Sequence, residues 1–284
     1  MLLALLFIAS IFAATPDQLL TAGKQALREN DPDKAVDLFE QLVKANPNSS
    51  EAHLFLGRAY GRQARQASMF RAPGLASKAR TEFETAVKLD PNSIRARSTL
   101  ADYYVMAPGI MGGSYEKALE QAQEIKKRDA LTGHFEYAEI YNAQKKPDQA
   151  RAEMIAAVRE QPNSAKAHFL YGLAMIILQK NYKDAEPELE TALKLDPDYM
   201  EAYFRIGQLS VFLSGKYERG EEALKKYLAY TPKEDEPPLY RAHYWLGQIY
   251  EKQGRKADAK QSYATSLKLN PAQTDVTEAL KRVS

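Results

Sequence analysis

The chain has no cysteine in 284 residues. This excludes disulfides, thiolate metal sites, a thiol nucleophile and a lipid anchor on an N-terminal cysteine. Stability therefore rests on packing. There is one tryptophan and almost no net charge: 39 Lys and Arg against 37 Asp and Glu leave +2, too little for a field that tracks phosphates. Nucleic acid is not an expected partner. Long apolar runs are missing except at Met1–Ala14, MLLALLFIASIFAA. That run is shorter than the roughly twenty residues a bilayer span needs, and it ends in small residues before Thr15-Pro16-Asp17, the pattern of a secretory signal. The alternative is a hydrophobic first helix or an uncleaved anchor. On the signal reading the mature chain is periplasmic or secreted and carries no membrane span.

What the chain does have is repetition. Hydrophobic residues are 45% of the chain, an ordinary core-forming level, and the phrases ANPNS, LDPNS, EQPNS, LDPDY, AYTPK and LNPAQ supply Pro47, Pro91, Pro162, Pro197, Pro232 and Pro271. The long interval from Pro91 to Pro162 holds two units, the first having lost its proline near Arg128. Seven units thus span residues 16–271, starting near Pro16, Ser50, Ile94, Leu131, Ala165, Met200 and Tyr240. Each has two stretches of helical apolar spacing separated by a turn, and a closing proline that cannot continue a helix. Each is read as a helical hairpin.

Counted from those starts, the eighth place holds Gly23, Gly57, Ala101, Ala138, Gly172, Gly207 and Gly247. A second small residue follows near the start of each second helix: Ala35, Ala79, Ala118, Ala150, Ala185, Gly220 and Ala259. Small residues at fixed places let two helix backbones approach where they cross. The segments HFLYGLAM, YFRIGQLS and HYWLGQIY, with the small residue and closing proline after them, resemble the tetratricopeptide repeat, W-x2-L-G-x2-Y, then A-x3-F, then P. The departures are the absent tryptophan at the fourth place, the missing proline in the third unit and enlarged turns in the second and third. The resemblance implies an all-α fold, a right-handed superhelical solenoid of hairpins whose first helices line a concave wall. Thr274–Val283 reads as an amphipathic capping helix within 272–284.

No catalytic constellation emerges, and no enzyme activity, metal or cofactor is expected. His53, His134, His168 and His243 all fall at the fourth place, so one repeated packing role accounts for them. The glycine-rich stretch APGIMGGS (107–114) lacks the Gly-Lys-Ser/Thr ending and the preceding strand of a nucleotide loop. It has a counterpart in FRAPGLAS (70–77). The two turns are expected side by side, with Met69, Phe70, Leu75, Ile110, Met111 and Tyr115 forming an apolar ledge for a partner, or simply packing on each other.

The fifth place becomes an aromatic stripe from the fourth unit onward: Phe135, Phe169, Phe204 and Tyr244. Leu173, Ile176, Ile177, Val211 and Phe212 would extend it, and Asn142, Gln208 and Gln248 add amide groups. In the first two units the same wall offers Lys24, Arg28, Arg58 and Arg62; Asp102 and Glu139 then end the basic track. The family's Lys and Asn carboxylate clamp is not matched. The expected function is an exported scaffold that holds a protein or peptide in its groove, with these aromatics as anchors. On that reading Phe169→Ala with Phe204→Ala leaves helicity intact and weakens capture. The alternative is a carrier of an apolar small molecule lined by Leu173, Ile176, Ile177, Val211 and Phe212.

Overall fold

A computed structural model describes residues 14–233 and 236–284; the proposed signal lies outside them except for Ala14. All regular structure among the described residues is helical. The chain divides into two compact units, one up to Pro91 and one from Asn92 onward. The first holds two hairpins, α1 (Pro16–Arg28) with α2 (Pro32–Ala45), and α3 (Ser50–Gln66) with α4 (Ala72–Leu89). In the second, five hairpins follow: α5 (Ile94–Met106) with α6 (Tyr115–Lys126), α7 (Ala130–Ala143) with α8 (Pro147–Glu160), α9 (Ala165–Ile177) with α10 (Tyr182–Leu195), α11 (Met200–Phe212) with α12 (Tyr217–Leu228), and α13 (Leu239–Lys252) with α14 (Lys256–Leu269). The last element is α15 (Thr274–Val283). It buries Val276, Ala279 and Val283 in the same cluster as Ile249 and Tyr263, and Arg282 grips Glu251 with two hydrogen bonds of 3.0 and 3.1 Å.

The proline phrases act locally. Proline ends one helix and the serine two residues later caps the next. Ser49, Ser93 and Ser164 accept from the backbone N–H of Ala52, Ala96 and Ala167 at 3.2, 3.2 and 3.3 Å. Where the third unit lacks its proline, Asp129 takes over, accepting from the N–H of Thr132 at 3.0 Å. A start signal therefore survives at that boundary although the stop signal is lost, whereas α11 and α13 begin after Tyr199 and Pro238 without a side-chain cap.

The fourth-place side chain proves to be a polar bracket. His53 and His168 set Nδ1 at 2.6 Å from Glu82 and Glu188 on their own second helices, and Nε2 at 3.0 Å from the carbonyl oxygens of Pro47 and Pro162. Tyr203 reaches the equivalent carbonyl of Pro197 with its hydroxyl, which donates at 3.1 Å. His134 lies instead between Glu153 and Glu160. Each bracket ties a first helix to its hairpin partner, and the two histidines and Tyr203 also hold the preceding turn.

The small residues do what their spacing implied. A Cβ on Gly207 would sit 2.3 Å from Leu224 Cγ, and one on Gly247 would sit 2.5 Å from Tyr263 Cε1. Gly23 and Gly57 face Phe39 and Phe83 in the same way, and Gly172 faces Leu189. These large residues all stand four positions after the small residue of the second helix. In the third and fourth repeats that position is Ala122 and the flexible Met154, and there the eighth place carries a Cβ, as Ala101 and Ala138.

The two Ala-Pro-Gly segments part company. Ala72-Pro73-Gly74 is not a loop but the first turn of α4, which extends to 18 residues because proline suits a first helical turn and helix formers follow. Ala107-Pro108-Gly109 leads into a 3-10 turn at Gly109–Met111 and ends at Gly112, where φ is +89°; at Gly113 a Cβ would meet the Ala107 carbonyl oxygen at 1.7 Å. The expected joint ledge accordingly divides between the two units. Met69 and Phe70 are 79% and 88% exposed in the first. In the second, Ile110 and Tyr115 are exposed and Met111 is half-buried.

Gly207→Ala is expected to lower stability by about 1–3 kcal/mol through overpacking, although alanine is the better helix former. In a Leu224→Ala background, itself costly, the Gly207→Ala loss should shrink because space has opened opposite it, and urea unfolding of the two single variants and the double variant measures that coupling. Ser164→Ala should cost about 1 kcal/mol through the lost cap.

Candidate binding face

In the second unit the first helices pack side by side, α5 on α7, α7 on α9 and α11 on α13. Equivalent places therefore line one face, and the burial of each place decides what that face offers.

The fifth place offers less than its composition suggests. Phe169 and Phe204 are 3% and 4% exposed; Phe169 packs at 4.8 Å from the Tyr199 ring and Phe204 at 5.3 Å from Tyr227. They are core residues and not surface anchors, because a helix that contacts neighbours on two sides buries this position. Phe135 and Tyr244 are half-buried against the same cores, and Arg241 lies over the Tyr244 ring at 4.6 Å. Leu173, Gln208, Gln248 and Asn142 are also half-buried. Gln248 is committed to structure, donating to the Tyr263 hydroxyl at 2.8 Å. Gln208 accepts from Arg205 at 3.1 Å, and burial pulls the Arg205 guanidinium pKa below its ordinary value. The five residues proposed to enclose a small molecule split: Ile176 and Val211 are in the core, whereas Ile177 and Phe212 are 44% and 41% exposed.

The exposed apolar residues instead follow the thirteenth place. Met106, Ile177 and Phe212 occupy it in the third, fifth and sixth repeats and are all exposed at the ends of their first helices. Phe212 stacks on Tyr182 at 4.7 Å and meets Trp245 edge-on at 5.4 Å, so its ring is held while one side stays open.

One turn before Met106 on α5, Asp102 belongs to an acidic group. Carboxylate oxygens of Asp102 on α5 and of Glu136 and Glu139 on α7 all lie within 4.8 Å of one another, and the Ser98 hydroxyl donates to Glu136. Burial, with Asp102 nearby, pushes Glu136 up to about 7. Burial and the charges of Glu136 and Asp102 push Glu139 up to about 8. Among the described residues neither glutamate has an ion-pair partner. Three oxygens fall short of the six to eight that calcium takes; a single ammonium or guanidinium group matches them better. The sequence marked Asp102 and Glu139 only as the end of a basic track and passed over Glu136. The signal for all three was two consecutive repeats carrying acid or hydroxyl at neighbouring places of their first helices.

Three family models, each described as tetratricopeptide repeat, match residues 20–72 and 138–181, 177–242, and 240–273. Together they cover more than half of the chain, which belongs to the tetratricopeptide-repeat family. No curated protein matches the sequence significantly. Among solved structures, a tetratricopeptide repeat protein from Parabacteroides merdae is similar at 16% identity over 94% of this chain and 98% of that one, with a TM-score of 0.50. Yeast Tom70 is similar at 14% identity over 99% and 66%, with a TM-score of 0.57. The APC/C hetero-tetramer Cut9–Hcn1 gives 14% over 94% and 49%, with a TM-score of 0.52. The chain thus spans about half to two thirds of the last two, and at such identities the likeness is one of fold.

Two outcomes follow. Phe169→Ala and Phe204→Ala should each cost about 3–5 kcal/mol as core truncations, so their double variant should lose helicity at moderate temperature by circular dichroism. Glu136 and Glu139 hold protons in the folded state that the unfolded chain releases above its ordinary glutamate range near 4.5. Their contribution to stability is therefore complete at low pH and declines as pH rises toward about 8. Glu136→Gln with Glu139→Gln should raise the melting temperature more at about pH 8.5 than at about pH 5; an equal gain at both would contradict the raised values.

Proposed function

We propose that this protein is a non-enzymatic scaffold whose second unit binds a peptide segment or partner domain along its first helices. The observation that carries this reading is the thirteenth-place row of exposed Met106, Ile177 and Phe212 beside the Asp102, Glu136 and Glu139 carboxylates. Apolar side chains left open at one repeated place, next to buried acid, suit a segment that presents aliphatic or aromatic residues together with a lysine or arginine. Tetratricopeptide repeats are in general binding scaffolds, and the structural likeness to Cut9–Hcn1, a hetero-tetramer, agrees with that class. The apolar run Met1–Ala14 supports an exported location, in the periplasm or outside the cell. A partner therefore belongs among exported or envelope proteins.

Panning a random displayed-peptide library on the immobilised full chain tests this. Enriched peptides should carry a basic residue a few positions from apolar ones, and Ile177→Asp with Phe212→Asp should weaken them about tenfold or more without loss of helicity. Their affinity should fall as pH is lowered from about 8 to about 6, since protonated Glu136 and Glu139 no longer attract a cation. Peptides that bind the double variant equally well, or bind more tightly in acid, would rule the face out.

A further inference from the structure

The first unit carries a surface that this reading does not use. Between Glu51 and Glu82 the sequence has Arg58, Arg62, Arg65, Arg71, Lys78 and Arg80 and no Asp or Glu. The segment forms α3 and the start of α4, and the turn joining them places Met69 and Phe70, 79% and 88% exposed, at its tip. Among the described residues Ile110 is the other large apolar side chain this open, and here two adjacent ones directly precede Arg71. Arg80 pairs with Glu84 at 3.7 Å and Lys78 lies over the Tyr60 ring at 5.0 Å. Arg62, Arg65 and Arg71, by contrast, have no ion pair among the described residues. Asp33 approaches the same helix but accepts from the Gln63 amide at 2.6 Å and pairs with none of the three arginines among the described residues. Burial and the neighbouring charge of Arg62 pull the Arg65 pKa below its ordinary value. α4 also begins with neither a side-chain cap nor an acid in its first turn.

We propose that the α3–α4 tip is a peripheral membrane contact, with Met69 and Phe70 inserted among the headgroups of an anionic lipid surface and Arg62, Arg65 and Arg71 at the level of the phosphates. Charge complementarity selects the anionic surface, and the pair of protruding apolar side chains selects a lipid interface over a purely polar polyanion.

Vesicle co-sedimentation of the full chain tests the contact, using phosphatidylcholine vesicles with and without about 30% phosphatidylglycerol in about 0.1 M salt. The apolar run is common to all variants, so differences among them report on the tip. Partitioning should be about tenfold higher on the anionic vesicles and largely lost in about 0.5 M salt. Met69→Ser with Phe70→Ser, and separately Arg65→Gln with Arg71→Gln, should each lower it about fivefold or more with unchanged circular dichroism. Variants that sediment like the wild type, or equal binding to both vesicle types, would overturn the proposal. So would retention of polyuridylic acid that anionic vesicles do not displace, which would assign the surface to nucleic acid instead.

Discussion

One steric constraint underlies the structure: where the two helices of a hairpin cross, a residue with little or no side chain stands at the eighth place, opposite a large one in five of the seven hairpins. Gly207 against Leu224 and Gly247 against Tyr263 leave no space for even one further carbon. The interhelical distance is thereby set by the side chain of only one partner, and each hairpin closes tightly enough to stack on its neighbours within its own unit. Because the crossing recurs at the same place, every other place inherits a fixed orientation. What a residue can do then depends on its position in the repeat as much as on its chemistry.

That division of labour is visible along the first helices. The fourth place ties the hairpin together where His53 and His168 meet Glu82 and Glu188 and Lys226 donates to Tyr203, and the same three side chains hold the preceding turn through a proline carbonyl. The fifth place feeds the core, which is why the aromatic Phe169 and Phe204 are enclosed. Only at the ninth and thirteenth places does the second unit turn chemistry outward. A stripe of aromatics is thus a poor guide to a binding surface here: aromatic rings are large enough to fill the gap between neighbouring hairpins, and that use comes first.

Electrostatics separates the two units although the net charge is nearly zero. The first concentrates arginines on one hairpin, where Arg80 pairs with Glu84 but Arg62, Arg65 and Arg71 have no ion pair among the described residues, whereas the second gathers Glu136 and Glu139 near Asp102 where burial penalises the charged forms of the two glutamates. Neither arrangement is needed for the helices to form. The cost of ionising Glu136 and Glu139, and the three arginines without an ion pair among the described residues, are the physical ground for proposing a cation on the second unit and an anionic surface on the first.

The amino-acid sequence by itself determined the repeat, the helical hairpins, the places of close approach and the capping helix, because each depends on interactions within about 35 residues that recur often enough to be read as a pattern. The serine caps and proline stops are local chemistry and needed nothing more. Burial was decided only by tertiary packing: that Phe169 and Phe204 face inward, that Ile177 and Phe212 do not, and that one Ala-Pro-Gly segment starts a helix while the other stays a turn. Two further juxtapositions, the carboxylates of α5 and α7 and the Gln248 amide on Tyr263, join residues from different helices. Their distances depend on how those helices pack, a quantity no single stretch of sequence contains.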